Sequence, residues 1–384
     1  MSQQIVVVLC SSSRTGDDFP TRRSLLLSDC CSAVRFMRPS RCLLASIVAA
    51  ASLLIGCSET GAPTLEAIAG TTMGTTYHIK YVVQESDLIA KATLENDIAR
   101  ILDDIDLQMS TYREDSEISR FNQSRSDEWV PVSADIATVV SEAQRVSELS
   151  GGAFDITVGP LVKLWGFGPD LRAPGVPTDS AINAAREKVG FRKLEVRQDP
   201  PAIRKTNPLV EIDLGAIAPG YAVDRLAGYL KSVGLRDYLV ELGGEVRATG
   251  RRPDGHPWRV AIEEPTNEYG EIQTLVELNG EGLSTSGSYR NFFEIGGRRY
   301  SHEIDPHTGW PASHKTVAVA VVAPTTMTAD ALSTAMVVLG EEEGLDVAKR
   351  NNLAVYFIIS AVNGLRVEQT YRFAHYQVNS RINK

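Results

Sequence analysis

Every cysteine of this chain lies at or before position 57: Cys10, Cys30, Cys31, Cys42 and Cys57. The long body that follows can therefore use no disulfide staple, no zinc–thiolate centre and no cysteine nucleophile. It must be held by an apolar core. Hydrophobic residues make up 43% of the 384 and charged residues 23%, enough for one large domain or two ordinary ones.

Charge divides at the same place. Residues 1–56 hold six arginines and three aspartates, whereas the whole chain has 39 basic and 48 acidic residues, so the remainder is acidic at net -12. No Lys/Arg-rich run stands out, which argues against nucleic acid as a partner. An acidic body also sits badly with direct binding to anionic lipid.

From Met37 the chain reads MRPSRCLLASIVAAASLLIGCSE. Arg38 and Arg41 precede a 13-residue apolar run, Leu43–Ile55, too short to span a bilayer comfortably and suited to a signal-peptide core. Leu54-Ile55-Gly56-Cys57 resembles a bacterial lipobox, in which cleavage precedes a cysteine that receives lipid; the alternative is a buried helix. The expected organisation is a non-native upstream extension (1–36, with the start at Met37), a lipoprotein signal peptide (37–57), a tether (58–64), one domain (65–370) and a C-terminal tail (371–384). The expected location is the bacterial cell envelope, lipid-anchored and facing the periplasm.

Periodicity within the body predicts two short strands over Leu65–Val83 and amphipathic helices over Leu88–Met109, from a Ser133 cap to Ser150, over Asp179–Val189 and over Tyr221–Val233. YLVELGGEVRATG reads as strand, Gly-Gly turn or bulge, strand; WRVAIEE, TLVELNG, TVAVAVVA and LAVYFII read as further strands. A helix over Thr328–Leu339 is expected to start at a Thr328 cap and stop at Gly340. Strands and helices without strict alternation give an α+β class with mixed, largely antiparallel sheets and packed helices.

Five stretches hold polar groups that packing alone does not require. MSTYREDSEISRFN (109–122) sets Tyr112 among charges, or is a helix connection capped by Asp115 or Ser116. GGAFDITVGP (151–160) offers Phe154 as a face for a flat ring and Asp155 as an acceptor for an exocyclic N–H, or is a helix cap entering a strand. DLGAIAPGYAVD (213–224) reads as a strand ending in an acid and a small-residue turn opening a helix, whose free amides attract phosphate. In TADALSTA (328–335), Asp330 and Thr334 stand at i and i+4 on one helix face, and their oxygen donors suit Mg2+ better than zinc; the alternative is a dipole-favoured first-turn Asp and an ordinary half-buried Thr. SHEIDPHTGWP (301–311) puts two of the chain's six histidines in one turn-forming stretch, or is a polar surface loop.

Taken in order with GTTMGTTY, LVELGGEVRATG and STSGSYRNFF, these stretches resemble the FAD:protein FMN transferases, the ApbE family, from about Gly70 to Leu339 and more loosely to Phe357. The resemblance implies an ApbE-like, T-fold-like architecture. It also implies a flavoprotein transferase that moves the FMN moiety of FAD to a Thr or Ser hydroxyl of an exported or membrane-attached redox protein. The acceptor segment would be similar to D-x-x-[ST]-G-A-[ST], the bond a phosphoester, the leaving group AMP and the cofactor Mg2+. It places flavin or FAD contacts at Met73, Tyr112, Ala153, Phe154, Asp155, Asp213, Pro219 and Ile304. The metal ligands fall on Ala216 (through its carbonyl), Asp330 and Thr334, and the proton acceptor on His302. Many members carry a polar residue where this chain has Pro219, which offers no donor. FAD hydrolysis to FMN and AMP, or non-catalytic FAD binding by a lipoprotein, are the competing functions.

The chemistry suits the residue types. Two phosphates repel an incoming oxyanion, so a divalent cation between them helps. An alcohol nucleophile needs a base, and imidazole, ordinarily near ~6.5, serves at neutral pH. His307 is expected to be a solvated turn residue.

Overall fold

A two-residue turn starts the architecture. Strand β1 (Thr64–Thr72) pairs antiparallel with β2 (Thr75–Val83), up to the Thr72–Thr75 pair. Met73 and Gly74 between them both have positive φ, 47° and 73°, as a tight hairpin of this length requires. Gly70, expected to interrupt the strand, stays inside β1, where an added Cβ would lie 2.6 Å from the Tyr77 hydroxyl.

The computed structural model describes residues 62–84, 89–168, 175–265, 271–289 and 291–378. The leader, signal segment and Cys57 lie outside them. After the hairpin come helix α1 (Lys91–Met109), α2 (Glu117–Gln123), β3 (Val130–Pro131), α3 (Ala134–Leu149), α4 (Gly159–Leu164) and α5 (Asp179–Arg186). Then follow β4 (Leu194–Gln198), β5 (Pro201–Lys205), α6 (Ala218–Ser232), β6 (Tyr238–Leu242), β7 (Glu245–Thr249), β8 (Trp258–Glu263), β9 (Ile272–Leu278) and β10 (Gly282–Gly287). β11 (Phe292–Ile295), β12 (Arg298–Ser301), β13 (Thr316–Ala323), α7 (Thr326–Arg350), β14 (Ala354–Ala361), β15 (Gly364–Gln369) and α8 (Tyr371–Ala374) complete the order.

Eight of these strands form one antiparallel sheet, β1-β2-β6-β7-β10-β13-β14-β15. Its two faces alternate along each strand, as the pleat demands. Val240, Val319 and Val321 point into a core with α1, α3, α6 and α7. Leu239, Ala318 and Ala320 point into a second core with Trp258, Val276 and Phe373. The α+β class with antiparallel sheets is thus the observed one. A third cluster joins Leu161, Trp165, Ile182, Tyr300 and Ile304. Among the described residues no helix is long and apolar enough to cross a membrane.

Local signals place most helix ends. Ser133 accepts from the Ile136 amide at the start of α3, and Gly151 just past its end has φ 66°. Ser116 caps α2 by accepting from Ser119. Four expectations change. The last long helix is capped by Thr325, which accepts from the Thr328 amide, not by Thr328. It also resumes beyond Gly340, whose φ of 75° breaks it where the His314 ring packs; an added Cβ would lie 2.6 Å from that ring. No strand ends at Asp213, and the helix after it opens at Ala218. The segment expected as a tail holds α8, whose buried Phe373 meets Tyr356 with ring centroids 5.1 Å apart.

Candidate active site

Two helix starts meet at one glycine. Gly220, in the first turn of α6, has no room for a side chain: a Cβ would lie 2.5 Å from the Thr326 carbonyl oxygen and 2.7 Å from the Asp330 Cβ. The close approach lets the Gly220 N–H donate to Asp330 Oδ2 at 2.9 Å. Asp224, one turn further along α6, accepts from the amides of Thr326 and Met327 at 3.0 Å each and pairs with Arg247. A carboxylate there complements the positive start of α7.

Asp330 is buried. Burial pushes its carboxyl up to about 7; the Gly220 hydrogen bond opposes the rise, and Asp224 and Glu303 add to it. Glu245 on β7 is pushed well above the usual carboxylate range by burial and then by Asp330. Such groups are costly to ionise unless a cation or donor arrives.

Most of the amides expected to attract phosphate are used within the chain. Gly215 donates to Asp213 Oδ1 (2.9 Å), Ile217 and Ala218 donate to the Leu214 carbonyl (3.1 and 2.8 Å), Gly220 donates to Asp330, and Pro219 has no N–H. This helix start therefore does not offer the free donors of an anion site. Its donor chemistry fits a cation instead: the Asp330 carboxylate, the Thr334 hydroxyl one turn on, and the carbonyl of Ala216 just before Gly220. Among the described residues no group of three or more His, Cys, Asp or Glu side chains is placed to hold a metal. An ion here would draw on neutral oxygens for most of its shell, as Mg2+ accepts.

Asp213 lies beyond this centre. Asn122 grips the preceding residue from both sides, donating to the Ile212 carbonyl at 2.8 Å and accepting from its amide at 2.7 Å. Burial raises the Asp213 carboxyl. Tyr112, 73% exposed, feels the Asp213 charge, which after burial raises its phenol. An exposed ring beside a held acid can stack on a flat ligand. Met73, at the hairpin tip, borders a shallow recess of about 360 Å3 lined by Thr71–Thr76.

The 151–160 segment is built differently from the expectation. Phe154 is buried in the helical core. Asp155 accepts from the Thr157 amide and hydroxyl (2.8 and 2.6 Å) and from the Phe191 amide (2.7 Å). Its carboxylate is thus committed to holding the turn. The segment enters α4, not a strand. Ala153 lies beside an open groove of about 1050 Å3 that Asp305, His307 and Trp310 also line.

The 301–311 stretch is a closed turn. Asp305 N–H donates to the Trp310 carbonyl (2.9 Å) and Gly309 N–H to the Asp305 carbonyl (2.8 Å), with Ile304 bridged to Pro311. Buried Trp165 locks it, donating its indole N–H to the Gly309 carbonyl at 2.8 Å. Ile304 packs its side chain into that cluster. His302 sets Nδ1 3.2 Å from the Asn291 carbonyl and Nε2 3.3 Å from Glu303 Oε1. Glu303 is buried, which raises its carboxyl; His302 and His314 oppose the rise. His307 is more than a solvated residue: Nε2 lies 3.1 Å from the Gly151 carbonyl and Nδ1 3.2 Å from Asp305 Oδ1, tying the turn to the end of α3.

The structure thus brings Gly220, next to Pro219, against Asp330 at the α6–α7 junction, and sets Tyr112 within the field of Asp213. His302 and Ile304 share the Trp165-locked turn. Asn122, Trp165, Gly220, Asp224 and Glu245 were not singled out from sequence. Asn122 and Asp224 close two of the stretches chosen there, but their partners lie far along the chain.

A family model described as "ApbE family" matches residues 73–357. The chain is 45% identical to an FAD:protein FMN transferase of Vibrio cholerae over 322 residues, covering 83% of this chain and 95% of that protein. It is 44% identical to one of Haemophilus influenzae, covering 80% and 90%. Among solved structures it superposes on the flavin transferase ApbE from Vibrio cholerae with a TM-score of 0.76 at 43% identity, covering 82% of this chain and 99% of that one. The Pseudomonas stutzeri flavinyl transferase ApbE in its apo form gives the same TM-score and identity, covering 82% and 97%.

Proposed function

The chain belongs to the ApbE family, and from that premise we propose that it transfers the FMN moiety of FAD to a Thr or Ser hydroxyl of an acceptor redox protein, with Mg2+ as cofactor. The observation that carries the reading is the junction at Gly220, where the start of one helix packs against the buried Asp330 carboxylate, with the Thr334 hydroxyl one turn further along the Asp330 helix. Storage of FAD has no use for that arrangement.

The balance is simple. The acceptor oxygen bonds to the FMN-side phosphorus, the pyrophosphate P–O bond breaks, AMP leaves, and the hydroxyl proton passes to a base. Mg2+ held by Asp330, Thr334 and Ala216 would neutralise charge building on the two phosphates. Tyr112 and Met73 would flank flat portions of FAD, with Asp213 fixing a polar edge. His302 would take the proton, within the ~10²–10⁴-fold range of a general base. Pro219 contributes shape and no donor. Ala153, Phe154, Asp155 and Ile304 would act chiefly through the backbone they hold, because all four side chains are buried.

The signal segment supports a lipid-anchored protein at Cys57, facing the periplasm, with acceptors that are exported or membrane-attached and carry a segment similar to D-x-x-[ST]-G-A-[ST]. Purified protein with FAD and Mg2+ should release AMP rapidly only when an acceptor is added, and not in EDTA. Equal AMP release without acceptor would make it an FAD pyrophosphatase; none under any condition would leave a binding protein.

A further inference from the structure

Behind Thr334 runs a closed line of hydroxyls. Ser286 Oγ lies 3.2 Å from Thr334 Oγ1 and 2.8 Å from Ser333 Oγ. Ser333 Oγ lies 3.1 Å from Ser284 Oγ and 2.9 Å from the Asp330 carbonyl oxygen. Ser284 Oγ lies 3.3 Å from Glu245 Oε1. Ser284, Ser286 and Ser333 are buried, so bulk water does not complete their hydrogen bonding.

We propose that Ser286 is a positioning residue for the cation site: it holds the Thr334 proton and thereby aims the Thr334 lone pairs at the ion. The proposal rests on the reading of Asp330 and Thr334 as cation ligands.

Counting protons gives the direction. The line has five contacts, and each needs one hydrogen. The Asp330 carbonyl has none to give, and the four hydroxyls supply one each. If Ser333 donates to that carbonyl, both Ser284 and Ser286 must donate to Ser333. Thr334 is then the donor to Ser286, and Glu245 must supply the fifth proton as a neutral carboxylic acid. Were Glu245 ionised, Ser284 would donate to it and Ser333 to Ser284; Ser286 would still donate to Ser333 and Thr334 to Ser286. Only the contact to the Asp330 carbonyl would be lost. In both arrangements the Thr334 hydrogen points back into the protein. Reversing it would have Ser286 donate to Thr334, Ser333 to Ser286 and Ser284 to Ser333, which gives up the Ser333 contact to the Asp330 carbonyl and still requires a neutral Glu245. For either state of Glu245 the reversed direction forms one hydrogen bond fewer among these buried groups, and is the more costly one.

The test measures Mn2+ binding by electron paramagnetic resonance to the FAD-free whole chain, with no turnover. Ser286→Ala should weaken binding by about 10–100-fold, the range for removing a partner that orients a metal ligand. Ser333→Ala, which removes the hub of the line, should act in the same direction. In a Thr334→Val background, Ser286→Ala should have no further effect. If Ser286→Ala and Ser333→Ala bind Mn2+ like wild type while Asp330→Ala does not, the positioning role is overturned and the cation site stands. A loss from Ser286→Ala that persists undiminished in the Thr334→Val background overturns it too. If Asp330→Ala binds like wild type, the cation reading itself falls, and this proposal with it.

Discussion

Gly220 and Asp330, 110 positions apart, are joined by one hydrogen bond of 2.9 Å from backbone N–H to Oδ2. The bond exists because nothing but hydrogen occupies the Gly220 side-chain position. Gly220→Ala would drive a methyl to 2.5 Å from the Thr326 carbonyl oxygen. We expect a loss of about 1–3 kcal/mol in denaturant unfolding, the usual cost of overpacking, together with weakened cation binding. Wild-type values for both would refute the contact.

The Asp330 carboxyl is raised to about 7 from an ordinary 3.8, so cation binding at the proposed site would be pH-dependent. A folded-state value above the unfolded one stabilises the fold fully below the unfolded value, and that stability is lost as pH rises through about 7. A cation offsets the loss by pairing with the ionised form. Added Mg2+ should therefore raise the melting temperature little at about pH 5 and clearly at about pH 8. Asp330→Asn should abolish that gain and raise the melting temperature of the metal-free protein at the higher pH. An equal Mg2+ effect at both pH values in wild type would contradict the assignment.

His302 is expected to matter for chemistry more than for binding. His302→Ala should lower flavin transfer by ~10²-fold or more, with FAD affinity little changed. His307→Ala should cost less, through loosening of the turn it ties to Gly151. If FAD affinity falls in proportion to activity in His302→Ala, the histidine positions flavin and the base lies elsewhere.

Lipid attachment at Cys57 is tested on mature protein from the native envelope. Mass spectrometry should find an acylated N-terminal Cys57, and Cys57→Ala should prevent the modification. An unmodified N-terminus at Met1 would contradict the anchored reading.

Features that depend on near neighbours were legible in the sequence. The Ser133 cap, the left-handed Gly151 and the Gly243-Gly244 turn between β6 and β7 all depend on residues within a few positions. Thr325 was missed as a cap because Thr325, Thr326 and Thr328 all suit the role, and the choice is made with Asp224 on another helix. Gly340 read as a helix end because a left-handed glycine usually is one. Here His314 packs against the break and the chain turns helical again. The use of most amides of 213–224 within the chain was not legible for a similar reason. Counting free amides requires knowing that Gly220 faces Asp330, and nothing local says so. Trp165 gave no signal beyond its hydrophobicity, since its partner is the Gly309 carbonyl.

The most direct measurement is the intact mass of an acceptor protein incubated with this chain, FAD and Mg2+. The account predicts that one Thr or Ser of the acceptor gains the mass of FMN through a phosphoester, that one AMP appears per modified acceptor, and that Asp330→Ala abolishes both. AMP formed while the acceptor mass stays unchanged, or a flavin adduct formed equally well by Asp330→Ala, would contradict it.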